Sequence, residues 1–138
     1  MKKFYTLLAF VVISTSLNAQ TTIYENDFNL GVASGWSLNA SGTGDNQWVV
    51  NAEYLGFPGL VDNTPVQPGV IASSPNSSYL HIHNTSICSI LDVCNASFDT
   101  GTASNRSAES PVINTSSFSG VTASFYYLCA GSSGSAYG

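Results

Sequence analysis

Two short spacings in this chain bring together residue types that do chemistry. Glu25 and Asp27 stand two apart in IYENDF, and His81 and His83 stand two apart in YLHIH. On an extended strand, residues two apart share a face. The carboxylate pair then offers oxygen ligands to a structural Ca²⁺, which takes 6–8 oxygens in all. The competing reading is a pair of solvated carboxylates that keep an edge strand from aggregating. The histidine pair has donors suited to Zn²⁺ or copper, with a third ligand still needed from a distant carboxylate or thiol. They are the only two histidines in the chain, and the competing reading places them on the surface face of a strand.

Catalytic spacings find little support. Gly131-Ser132-Ser133-Gly134-Ser135 does not fit G-x-S-x-G, and no strand–elbow–helix pattern surrounds it. A glycosidase needs two carboxylates on either side of a bond, and nothing in the spacing of the eight acidic residues singles out such a pair. No active site is expected in this segment.

Three cysteines, Cys88, Cys94 and Cys129, remain. Export favours a disulfide, and Cys88–Cys94 would close a short loop. Pairing of Cys129 with either is equally allowed, and the third cysteine is left as a buried thiol or as one half of a bridge to a further cysteine. Among the aromatics, Tyr54, Phe57, Tyr79 and Tyr126 are candidates to stack on sugars or fill an interface, while Trp36 and Trp48 read as core. The sequons at Asn39, Asn84 and Asn95 are expected by chance in a chain so rich in Ser and Asn.

Export itself is read from the first residues. Lys2 and Lys3 precede the apolar run Leu7 to Ile13, and small and polar residues lead to Ala19-Gln20. That is the layout of a secretory signal peptide over residues 1–19, the apolar run being well short of the ~20 residues of a membrane helix. Beyond it, Arg106 is the one fixed cation against eight acids, a formal charge of −7. Such a surface lacks the cations that hold a phosphate backbone, so nucleic acid and anionic membrane are excluded as partners and neutral glycans, proteins or cations remain.

The elements that must carry these residues are strands. Helix formers are scarce, no 3.6-residue apolar period persists, and short alternating runs sit between turn-rich loops. Strands are expected at Ile23–Phe28, Gln47–Asn51, Tyr79–His83, from Pro111 and over Val121–Leu128, the last with Val121, Ala123, Phe125 and Tyr127 on the core face. The prolines and glycines of residues 57–78 predict a long surface loop.

In order, the chain shows an acidic-aromatic opening (Glu25, Asp27, Phe28), Trp36, Trp48 after Asp45, YLHI at Tyr79–Ile82, AESP at Ala108–Pro111, FYY at Phe125–Tyr127 and a Gly-rich step ending at Gly138. This order resembles the MAM domain and the cleaved-adhesin type of jelly-roll module found in secreted Bacteroidetes surface proteins. The resemblance implies an all-β, concanavalin-like jelly-roll β-sandwich, with residues 20–138 its N-terminal part in a longer protein. It also implies a structural calcium near the first strand, at Glu25 and Asp27. The function it implies is non-catalytic adhesion or recognition at the cell surface, with an extracellular glycan or protein as partner. The alternative is an accessory domain of a secreted peptidase or glycosidase whose chemistry lies after residue 138.

Overall fold

The computed structural model describes residues 20–71, 74–101, 103–128, 130–132 and 135–137. The expected signal peptide, Cys129 and Gly138 lie outside them. Within them the chain forms small antiparallel sheets with little helix, as a small all-β domain does.

The strongest element follows directly from alternation. Strands β2 (Asn46–Asn51) and β3 (Tyr79–Asn84) pair antiparallel from Asn46↔Asn84 to Asn51↔Tyr79. Side chains alternate faces along each strand, so Trp48 and Val50 lie opposite Ile82 and Leu80 on one face. Gln47, Val49 and Asn51 lie opposite His83, His81 and Tyr79 on the other. Two shorter sheets join β1 (Ser37–Leu38) to β5 (Ala108–Glu109), and β4 (Ser97–Phe98) to β7 (Ser135–Tyr137) and on to β6 (Ala130–Ser132).

Among the described residues, one helix interrupts the strands. Helix α1 (Thr85–Leu91) starts where the Asn84 side chain accepts from the Ile87 N–H, satisfying an otherwise orphaned amide of the first turn. It ends at Asp92, whose backbone turns left-handed (φ 56°) and whose N–H returns to the Cys88 carbonyl. That reversal brings Cys94 back to Cys88, and the two form a disulfide with Cα atoms 4.6 Å apart. The short-loop pairing is therefore the one adopted.

Three expected strands take another course, and the one expected from Pro111 has no ladder among the described residues: the pairing there is at Ala108–Glu109 instead. Ile23–Phe28 has no ladder, because its asparagine and aspartate side chains capture the backbone: Asn26 Oδ1 accepts from the Phe28 N–H and Asp27 Oδ1 from the Asn29 N–H. These consecutive Asx turns curl the chain, and Phe28 goes left-handed at φ 58°. Tyr24 and Phe28 nevertheless meet one ring, Trp36, whose Nε1–H donates to Tyr24 Oη (2.8 Å) and whose ring meets that of Phe28 edge-on with centroids 5.4 Å apart. Val121–Leu128 likewise forms no ladder among the described residues, and it lies exposed on both alternating sets, Phe125 at 82% and Tyr126 at 71%.

The interior is held by polar groups as much as by apolar ones. Tyr54, Val93 and Ala96 are buried beside Asn46, Thr64, Gln67, Asn84 and Asn95. Gln67 Nε2 donates to Tyr54 Oη, Tyr54 Oη donates to the Ser77 carbonyl, Asn95 Nδ2 donates to the Asp62 carbonyl and the Ala96 N–H donates to Thr64 Oγ1. These bonds fold the proline-rich stretch back on itself and give most of these buried polar groups a partner, although Asn95 Oδ1 is buried without one.

Candidate functional site

Two asparagines build the walls of the clearest site by acting as substitute strands. Asn39, left-handed at φ 57°, donates from Nδ2 to the Trp48 carbonyl and accepts at Oδ1 from the Trp48 N–H, both at 2.8 Å. Asn46 does the same to Asp99: Nδ2 to its carbonyl at 2.8 Å, and Oδ1 from its N–H at 2.9 Å. An amide side chain presents a donor and an acceptor side by side, as one peptide unit does, so each pair is a short piece of ladder. Asn39 fixes the loop before β2, and Asn46 ties the segment after β4 to the start of β2.

Between those staples lies a cavity of about 300 Å³. Trp48, Ile82 and Phe98 supply its apolar lining, and Asn46, Asp99, Thr100, Ser104 and Arg106 supply polar groups. The Trp48 Nε1–H donates to the Arg106 carbonyl, and Ser104 Oγ donates to the Asn46 carbonyl. The Arg106 guanidinium donates to the carbonyls of Asn39 and Gly44 at 3.3 and 3.5 Å, while its buried Nε has no hydrogen-bond partner. A ring face, a carboxylate, two hydroxyls and a guanidinium around one small space suit a ligand with an apolar face and many hydroxyl edges. A second depression of about 410 Å³ is lined by Ala52, Glu53, Tyr54, Leu55, Asn63, Thr64, Val66 and Asn76, with a ring and a carboxylate but no guanidinium.

The other face of the β2–β3 pair carries a ladder of rings. Tyr54 and Tyr79 lie 4.7 Å apart, Tyr79 stacks on His81 at 4.3 Å, and His81 meets His83 edge-on at 6.2 Å. Both histidines face inward, 1% and 8% exposed, a correction to the expectation of a surface face. Tyr54, brought back over the sheet by its bond to Ser77, covers that end of the face. Burial pushes the His81 imidazole down to about 4 and also lowers His83. The same burial raises Tyr54 and pushes Tyr79 up to about 12.

His81 Nε2 bonds Asn51 Oδ1 at 2.8 Å, whereas His83 Nδ1 is buried without a partner. A ring nitrogen left so costs about 1–3 kcal/mol. His83 also lies with Cys88 and Cys94 in the one group of three metal-ligating residues among the described residues, the ligand atoms within 4.8 Å of one another. The histidine pair does not act as a pair: its members point to different neighbours.

Glu25 and Asp27 are exposed, and both Asp27 oxygens accept from Asn29, one of them at 2.6 Å from its Nδ2. The Asx turns remove the strand on which the two carboxylates were to share a face, and the three-residue group above does not include them. Of the ring candidates, Tyr54 is buried, Tyr79 is half-buried with its hydroxyl on the Glu53 carbonyl, and Phe57 and Tyr126 are exposed. Sequence reasoning passed over Asn39, Asn46, Phe98 and Asp99. The signal available was the pair of asparagines flanking the first turn-rich loop, whose side chains compete for backbone hydrogen bonds.

Comparison of the chain with protein-family models, with curated proteins and with solved structures returned no match.

Proposed function

We propose that this chain is a non-catalytic recognition module of an exported cell-surface protein, folded as part of a jelly-roll sandwich, and that its Trp48–Arg106 cavity takes a neutral extracellular glycan. The observation that carries the reading is the composition of that cavity: Trp48 and Phe98 beside Asp99, Thr100, Ser104 and Arg106. A sugar presents C–H faces to aromatic rings and hydroxyls to paired donors and acceptors. Its volume sits at the small end of ligand pockets, ~300–1,000 Å³, which suits one sugar residue of a longer chain. Acidic residues outnumber basic ones eight to three, so anionic polymers are poor candidates.

The staples supply what recognition needs. Rigid walls cut the entropy lost on binding, and Asn46 fixes the Asp99 backbone from two directions. Catalysis would ask for more, a nucleophile held by a base. Among the described residues the His81 ring bonds Asn51 and the Ile82 carbonyl rather than a hydroxyl or thiol.

A glycan array probed with the full-length exported protein tests the reading. Binding concentrated on a related set of neutral glycans is the expected result. A blank array, together with no surface protein captured in a pull-down, would count decisively against it.

A further inference from the structure

The disulfide that closes the turn after α1 lies against a histidine with nothing to bond. His83 is 8% exposed, its Nδ1 has no hydrogen-bond partner, and its ligand atom lies within 4.8 Å of both Cys88 Sγ and Cys94 Sγ. One nitrogen and two sulfurs form a donor set that Zn²⁺ accepts, at bond lengths of about 2.1 and 2.3 Å. Around one tetrahedral ion such atoms stand roughly 3.5–3.8 Å apart, so the spacing present needs only a small contraction about His83 and a parting of the two sulfurs. While the sulfurs are bonded to each other, neither is a thiolate and the set is closed.

We propose that reduction of the Cys88–Cys94 disulfide opens a metal site in which His83 Nδ1 and the two cysteine sulfurs hold a thiophilic cation, Zn²⁺ in the first instance. A dithiol reductant breaks the S–S bond: it gives up two electrons and two protons and becomes a disulfide itself, leaving two thiols on this chain. Zn²⁺ then displaces both thiol protons to solvent and takes the Nδ1 lone pair as its third ligand. Both cysteines are half-buried rather than sealed, so water reaches the fourth position. The local architecture keeps the ligands together after reduction. Asn84 caps α1 immediately after His83, and the left-handed Asp92 turns the chain back from Cys88 toward Cys94.

The orphaned ring nitrogen is the observation that separates this site from an ordinary structural disulfide. A bridge that serves only to close a loop has no use for a buried imidazole with a ligand atom within 4.8 Å of both its sulfurs. The site shares no residue with the Trp48–Arg106 cavity, so it stands whether or not a glycan binds.

The test uses the full chain, reduced with a non-thiol phosphine and then titrated anaerobically with Co²⁺ as a spectroscopic probe, with Zn²⁺ as competitor. The reduced chain should bind one equivalent with a thiolate charge-transfer band, the oxidised chain should show none, and Zn²⁺ should displace the probe. Zn²⁺ should also slow alkylation of Cys88 and Cys94 in the reduced chain, read by mass spectrometry of the peptides. Cys129→Ser should keep the band, and His83→Gln should weaken binding at least tenfold with both thiols free. If His83→Gln fails to fold, the ring signals of His83 in wild-type NMR spectra decide, since they should shift on Zn²⁺ addition. Equal binding by oxidised and reduced chains, no thiolate band, loss of the band in Cys129→Ser, or unmoved His83 signals would overturn the proposal.

Discussion

His81 Nε2 lies 2.8 Å from Asn51 Oδ1 across the β2–β3 pair, and the ring they hold is 1% exposed. A buried imidazole is favoured neutral, and burial takes this one from an ordinary 6.5 down to about 4. As pH falls, the unfolded chain gains its proton first. Stability is therefore unaffected above about pH 6.5, falls between 6.5 and 4, and levels off below, a loss of up to ~3 kcal/mol. Denaturant unfolding of the oxidised protein should show this loss, and His81→Gln, which has no proton to gain, should show less of it. Parallel declines in both proteins would contradict it.

Asn46 makes two bonds to the Asp99 backbone, and truncating its side chain removes both. Asn46→Ala should cost about 2–3 kcal/mol. Asn46→Asp, which keeps the acceptor but buries a charge with an oxygen against the Asp99 carbonyl, should cost at least as much. Equilibrium unfolding checks both, and a change under 0.5 kcal/mol in Asn46→Ala would mean that the staple carries no weight.

The disulfide closes a loop of only six steps. The chain-entropy relation gives about 2 kcal/mol for so short a loop, so Cys88→Ala with Cys94→Ala should lower stability by that amount without unfolding the β2–β3 pair. Circular dichroism and a urea melt of the double variant provide the check.

The run Val121–Leu128 presents Phe125, Tyr126 and Tyr127 to solvent with no ladder partner among the described residues. Exposed β-formers of this kind pair with other chains. Phe125→Ser with Tyr127→Thr should reduce self-association by several-fold in light scattering at matched concentration, and leave the melting temperature within a degree or two.

The parts of the fold legible in the sequence were those set by neighbours along the chain. QWVVN and YLHIH alternate, and they form the longest sheet. Cys88 and Cys94 were close enough to pair, and they did. What local pattern misread was decided either by side chains that bind backbone or by distant segments. Asn26 and Asp27 turned an alternating opening into Asx turns. His81 and His83 read as outward because they are polar, but the face they share is covered once Tyr54 is drawn to Ser77 across twenty-three residues. The Trp48–Arg106 cavity was the least legible part, because Asn46 and Asp99 meet only through tertiary pairing fifty-three residues apart. Nor did composition announce α1, although Asn84 before Thr85-Ser86 is a helix-start signal.

The central claim rests on the cavity beside Trp48, and Thr100→Trp addresses it most directly. Thr100 is exposed at the cavity lining, so an indole there should fill the space without disturbing the core. On a glycan array, the wild-type exported protein should bind a related set of neutral glycans, and Thr100→Trp, melting at the same temperature, should lose at least tenfold in affinity for every one of them. Equal binding by the two proteins, or no glycan bound by either, would contradict the account.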